Sequence, residues 1–274
     1  GAAAMTATVA PVVSVEDLRR AYRAAAAGEF RNPRRTRSLP AEPPPDGPAP
    51  AAWSPGTGER IVLVIGACSG AGASTVALGL ASCAGAARVV ECCTVAASGL
   101  AAASSAEMGV TADGWVQGTR DAVLVERRPD RVPSLAAMPA PSASTRPVTV
   151  IDCAGDADLL LASPGWLGEL ARTSPCVVVV SRASGPGLRR LETAVGLFGV
   201  GRVHGVVVGA PKRWPRQLEH QLGPHIRQLR AESRLASVPL DSRIAAEGIT
   251  TDPLPAALLA AVSPLLESLE GTSQ

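Results

Sequence analysis

The chain carries one run whose residue types and spacing suit phosphate chemistry. Ile61-Val62-Leu63-Val64-Ile65 leads into Gly66-Ala67-Cys68-Ser69-Gly70-Ala71-Gly72-Ala73-Ser74-Thr75, and an Ala/Leu-rich stretch follows. Apolar strand, glycine turn and helix start, in that order, form the setting in which backbone N–H groups cradle an anion. Against G-x-x-x-x-G-K-[ST], Gly72 fills the second glycine, and Ala67 falls at the first with Gly66 one residue early. Ser74 takes the hydroxyl position that reaches Mg²⁺. The lysine position holds Ala73. A methyl group brings no charge to set against a phosphate. The spacing therefore predicts a cradle of Gly66, Ser69, Gly70, Ala71, Gly72, Ala73, Ser74 and Thr75 without its main electrostatic device. The same residues also suit an ordinary glycine-rich turn between a strand and a helix.

A second candidate is Asp152, which closes the apolar run Val148-Thr149-Val150-Ile151. A carboxylate at the end of a buried strand suits Mg²⁺ beside Ser74, and suits capping the next turn equally well. A third is the basic stretch from Arg182 to Arg234, with ten Lys/Arg against three Glu. Arg189, Arg190, Lys212, Arg213, Arg216, Arg227 and Arg230 are the candidates there for touching nucleic-acid phosphates, with Trp214 placed to stack. A solvated helix face and a tryptophan sealing the core account for the same pattern. Lys212 is the chain's single lysine among 26 Lys/Arg. That bias exchanges surface Lys for Arg, but it does not explain Ala at position 73.

These residues must be positioned by alternating elements. Continuous apolar runs at 61–65, 89–92, 122–125, 148–151, 176–180, 203–208 and 236–238 predict strands buried on both faces. Helices are predicted at 74–84, 157–171, 187–198 and 216–230. The fold class is α/β, a doubly wound and mostly parallel sheet with flanking helices, whose ligands belong at the C-terminal ends of the strands. With 3% aromatic residues, its core must be Val, Leu, Ile and Ala. A net charge of +2 is too small to argue for nucleic acid on its own.

Residues 5–58 differ in character. Ser14 caps a predicted helix, Val15 to Ala27, with Leu18 and Tyr22 on a thin apolar stripe. Arg31, Arg34, Arg35 and Arg37 follow, then seven prolines between Pro40 and Pro55. Such a segment is expected to be extended or disordered, with the helix free either to dock on a protein partner or to remain a solvated tail. Gly1–Ala4 ahead of Met5 read as a cloning scar, and the folded domain is expected over 59–271. Six cysteines contain no C-x-x-C pair and no zinc spacing. With no signal peptide and no long apolar span, the chain reads as cytoplasmic.

Taken together, the glycine loop, Val148–Gly155 and the stretch Ala236–Asp241 with Pro253-Leu254-Pro255 resemble the ParA/MinD group of deviant Walker-A ATPases. The resemblance covers about 60–270. Cys68-Ser69-Gly70-Ala71-Gly72-Ala73-Ser74-Thr75 aligns with that group's K-G-G-x-G-K-T-T, and Asp152 with its Walker-B acid. Both lysines are missing, at Ala73 and Cys68. The acids after the second strand are reduced to Glu91, and the base-contacting Asn falls at Gly209. The resemblance implies a P-loop NTPase-like domain with ATP and Mg²⁺ held weakly or not at all, Ser74 and Asp152 being the metal positions. A homodimer and DNA are further candidate partners, the DNA through the Arg-rich C-terminal half. A degenerate pseudo-ATPase is expected, serving as a scaffold in partitioning, positioning, conjugation or secretion. The alternatives are a weak ATPase that borrows a partner's cation, and a non-specific DNA-binding protein. The run 254–269 has no basic face and contains Pro255 and Pro264, which speaks against a membrane-inserting helix.

Overall fold

In a computed structural model, residues 14–27, 53–93, 97–211 and 213–270 are described. They fall in two units divided between Ala49 and Pro50. The first unit contains α1 (Val15–Ala26). The Ser14 hydroxyl accepts from Asp17 N at 3.1 Å and donates to the Asp17 carboxylate at 2.6 Å, closing the first turn. Val15, Leu18 and Tyr22 are all exposed on this helix.

The second unit is built on a nine-stranded sheet. Its strands are β1 (Arg60–Gly66), β2 (Ala87–Cys92), β3 (Ala106–Val110), β4 (Val116–Arg120), β5 (Val123–Arg127), β6 (Val148–Cys153), β7 (Val177–Arg182), β8 (Val203–Val208) and β9 (Leu235–Val238). They run in the order β3-β4-β5-β2-β6-β1-β7-β8-β9. Only β3–β4 and β4–β5 pair antiparallel. The central β1 lies between β6 and β7 in parallel register, with Val64 opposite Asp152 and Gly66 opposite Val180.

The continuous apolar runs are explained by burial on both faces. Val62 and Val64 face α2 (Ala73–Ala84) and α9 (Ala256–Glu270). Ile61, Leu63 and Ile65 face the layer of α3 (Ala157–Ala162), α4 (Trp166–Thr173), α5 (Gly185–Phe198) and α7 (Pro224–Ala231). Gly79 lets α2 approach α9: a Cβ there would lie 3.4 Å from Leu258.

Several expectations change. The helix expected at 157–171 is two, α3 and α4, because Ser163-Pro164-Gly165 interrupts it. The helix expected at 216–230 splits into α6 (Arg216–Glu219) and α7 at Gly223-Pro224 for the same reason. Two strands, β3 and β4, were not anticipated. The five residues of β3 are all exposed, so it offers no buried apolar run to detect. The compact unit also starts earlier than residue 59. Trp53 packs on Trp166 with ring centroids 5.2 Å apart.

Glu59 is buried against Arg88, which is 1% exposed. The Arg88 guanidinium donates to Glu59 at 2.9 Å, to Glu126 at 3.1 Å and to Ser142 O at 2.8 Å, while its Nε reaches Thr149 at 2.9 Å. That network ties the entering chain to β2, β5 and β6 at the end of the sheet opposite the glycine loop.

Candidate functional site

The glycine loop joins β1 to α2 at the C-terminal edge of the sheet, beside the central strand as doubly wound sheets require. Ala67 N donates to Val180 O at 2.8 Å, anchoring the loop's start on β7. Gly72 is the N-cap of α2 with φ +96°, a conformation that side-chain-bearing residues rarely adopt. No side chain caps this end. The N–H groups of Gly72, Ala73, Ser74 and Thr75 precede the first intrahelical bond, from Val76 N to Gly72 O. Donors and helix dipole together make the turn receptive to an anion.

Gly66 and residues 68–76 line a cavity of about 1140 Å³. All eight cradle residues anticipated from the sequence line it. An apolar part of its lining is formed by Val208, Leu240, Ile244, Ile249 and Leu258. This wall is held by an unanticipated device. Arg120 of β4 donates to Ala103 O at 3.1 Å, to Thr250 O at 2.5 Å and also to Asp252 O, strapping the turn between α8 (Ser242–Glu247) and α9 onto the antiparallel ribbon.

Ser74 and Asp152 both line the cavity, with the Ser74 side chain near enough to the Asp152 carboxyl to favour its charged form. Burial pushes Asp152 up to about 7; Ser74 works the other way, and the nearby Glu91 charge adds to the rise. Two oxygen donors of this kind have the right chemistry for Mg²⁺. The loop after β2 approaches this pair closely. A Cβ on Gly99 would lie 2.7 Å from Ser74 Oγ, so backbone from the loop after β2 rests on the hydroxyl.

Glu91 builds that cover. Its carboxylate accepts from Ser98 Oγ at 2.7 Å, Gly99 N at 2.7 Å and Leu100 N at 2.9 Å. The one acid retained after the second strand is thus committed to holding a loop. Cys92 and Cys93, next in the chain, are buried, and burial raises both thiols well above their ordinary range.

The basic candidates do not share this site. Arg230 pairs with Glu219 at 2.8 Å and lies 5.7 Å from the Trp214 ring centroid. Trp214 donates its indole N–H to Ser237 at 3.1 Å and packs on the core, so it is not free to stack on a base. Arg189 holds Gln221 at 3.1 Å. Arg190, Arg213, Arg216 and Arg227 are exposed, and Lys212 lies outside the described residues. Sequence reasoning missed Arg182, at the end of β7, which lines the cavity. The signal was available, as a cation ending a buried Val177–Val180 run at the sheet's ligand-binding edge.

No protein-family profile matches the chain, and no curated protein matches it in sequence. Solved structures do match its fold. A ParA family ATPase from Chlorobium tepidum TLS superposes with TM-score 0.50 at 11% identity, over 76% of this chain and 98% of that one. Apo McdA from Cyanthece gives TM-score 0.52 at 11% identity, over 78% of this chain and all (100%) of the other. Among the described residues no helix is long and apolar enough to cross a membrane. With the nine-stranded sheet, the glycine loop on its central strand and these two likenesses, the chain has the fold of the ParA/MinD-type P-loop ATPases.

Proposed function

We propose that this chain is a pseudo-ATPase of the ParA/MinD type, a cytoplasmic protein that works by binding partners and not by turning over ATP. The carrying observation is the pairing of Ala73 and Cys68 at the two lysine positions with Gly99 seated on Ser74. Hydrolysis of a triphosphate needs cations on the β- and γ-phosphates and an oriented water. Both lysine positions are neutral, the Gly99 backbone lies close against Ser74, and Glu91 is tied to backbone. The site keeps its shape and loses its charge.

Its partner side is α1, whose Val15, Leu18 and Tyr22 form an apolar stripe suited to a groove on another protein. The system served is of the partitioning, positioning, conjugation or secretion kind. The retained Ser74–Asp152 pair favours, as a second reading, a slow ATPase completed by a cation from a partner. Exposed Arg190, Arg213, Arg216 and Arg227 make salt-dependent DNA contact the third. Calorimetric titration with ATP and Mg²⁺, alongside a phosphate-release assay, tests the proposal. Micromolar binding with turnover selects the second reading, and neither binding nor turnover supports the first.

A further inference from the structure

We propose that α1 is a docking helix for a protein groove that has an apolar floor and carboxylates along one edge. The inference rests on the reading that this chain works by binding partners, and it names the chemistry of the partner. At 3.6 residues per turn, Val15, Leu18 and Tyr22 fall within about 60° of one another around the helix. All three are more than half exposed. Arg19 and Arg23 follow within about 80° of Val15 on one side of this stripe. The five residues border a single surface depression. On the other side stands Ala21, which lets a partner's surface come close to the helix backbone.

The charges on α1 are sorted by face. Arg20, turned away from the stripe, pairs with Asp17 at 3.6 Å. Asp17 is held in addition by the Ser14 hydroxyl at 2.6 Å. Arg19 and Arg23 make no ion pair among the described residues. Arg23 donates only from its Nε, to Arg19 O at 3.3 Å. Glu16 lies in the first turn, where the helix dipole favours an acid. Two cations without acids therefore stand along one flank of an apolar stripe. A matching groove covers the stripe with apolar side chains and meets the two guanidinium groups with carboxylates, the partners their fork geometry suits. Other surfaces fit less well. An anionic membrane suits a helix whose polar face is basic throughout, and this polar face carries Glu16 and Asp17. A nucleic-acid backbone would take the arginines and leave Val15, Leu18 and Tyr22 in water.

The test places a photo-cross-linker on the stripe of the full chain, Tyr22→p-benzoylphenylalanine, and irradiates it in the cells that encode the protein. Adducts are identified by mass spectrometry. The expected adduct is one protein other than this chain, joined at a peptide that carries Asp or Glu beside the cross-link. R19E/R23E is expected to lower its yield by at least about fivefold, and R19K/R23K to retain most of it. R20E, on the opposite face, is expected to leave the yield within about twofold. Lysine in place of the partner's acids is expected to restore the adduct with R19E/R23E. An adduct indifferent to R19E/R23E would overturn the inference. So would adducts confined to lipid, nucleic acid or a second copy of this chain, or no adduct at all. Each of these leaves the pseudo-ATPase reading standing, whereas turnover of ATP-Mg²⁺ would remove that reading itself.

Discussion

Gly99 lies against Ser74 so closely that a single added methyl would stand 2.7 Å from the serine hydroxyl. The contact joins two segments that the sequence places far apart in role, a loop after β2 and the start of the phosphate cradle. It exists because the Glu91 carboxylate gathers Ser98, Gly99 and Leu100 onto the sheet edge.

Replacing that acid should loosen the cover. Glu91→Ala leaves the Gly99 and Leu100 N–H groups and the Ser98 hydroxyl without their acceptor, at a cost of about 2–4 kcal/mol. Urea unfolding should show the loss, and hydrogen exchange should rise at Gly99 and Leu100 before it rises in β1. Unchanged exchange there would mean that the loop is held by something else. Gly99→Ala should destabilise through the clash with Ser74, by about 1–3 kcal/mol.

Restoring the missing cation should separate binding from chemistry. Ala73→Lys puts an ammonium at the start of α2 and should tighten ATP by roughly ten- to hundredfold, from a charge-assisted contact of about 1.5–3 kcal/mol. Phosphate release should stay at background, since Cys68 and the committed Glu91 are unchanged. Calorimetry with a release assay checks both halves, and ordinary enzymatic turnover by this variant would refute the role given to Glu91.

The buried acid makes stability depend on pH. Asp152 titrates at about 7 when folded against 3.8 otherwise, so the folded state keeps a proton that the unfolded chain gives up. The contribution is complete below 3.8 and is lost as pH rises through about 7. His204 runs the opposite way: burial lowers it to about 4 from 6.5, and its contribution is lost as pH falls through about 4. Asp152→Asn should remove the first slope and stabilise the domain at pH 8, by up to about 4 kcal/mol. Urea midpoints at pH 5 and pH 8 give the comparison, and equal slopes in both proteins would contradict the assignment.

Truncation should locate the true start of the domain. Deleting 1–49 should leave the thermal midpoint nearly unchanged, because the second unit begins at Pro50. Deleting 1–59 removes Trp53 and the carboxylate that Glu59 gives to Arg88. Arg88 would keep Glu126 at 3.1 Å but lose its 2.9 Å partner and the packing of Trp53, so this midpoint should fall by several degrees. Equal midpoints would show that Trp53 and Glu59 contribute nothing. Loss of a partner in pull-down by the shorter deletion would tie α1 to binding.

Legibility followed burial. β1, β6, β7 and β8 are covered on both faces, so their Val/Ile runs stand out in the chain. The exposed β3 gives no such run, and it pairs only with β4 at the sheet's edge. The cradle from Gly66 to Thr75 was readable because glycine turns and helix starts are local. The covering of Ser74 was not, since it depends on which backbone Glu91 reaches across the fold. Arg182 was legible as a cation ending the buried Val177–Val180 run, whereas the cavity wall that α8 and α9 add, far along the chain, was not.

The most direct test of the central claim is ATP titration of the full chain with Mg²⁺, followed by phosphate release at saturating nucleotide. The account predicts a dissociation constant weaker than about 100 μM, an affinity near −5.5 kcal/mol or less, and release no faster than in buffer. A dissociation constant of about 1 μM with release above that background would contradict it.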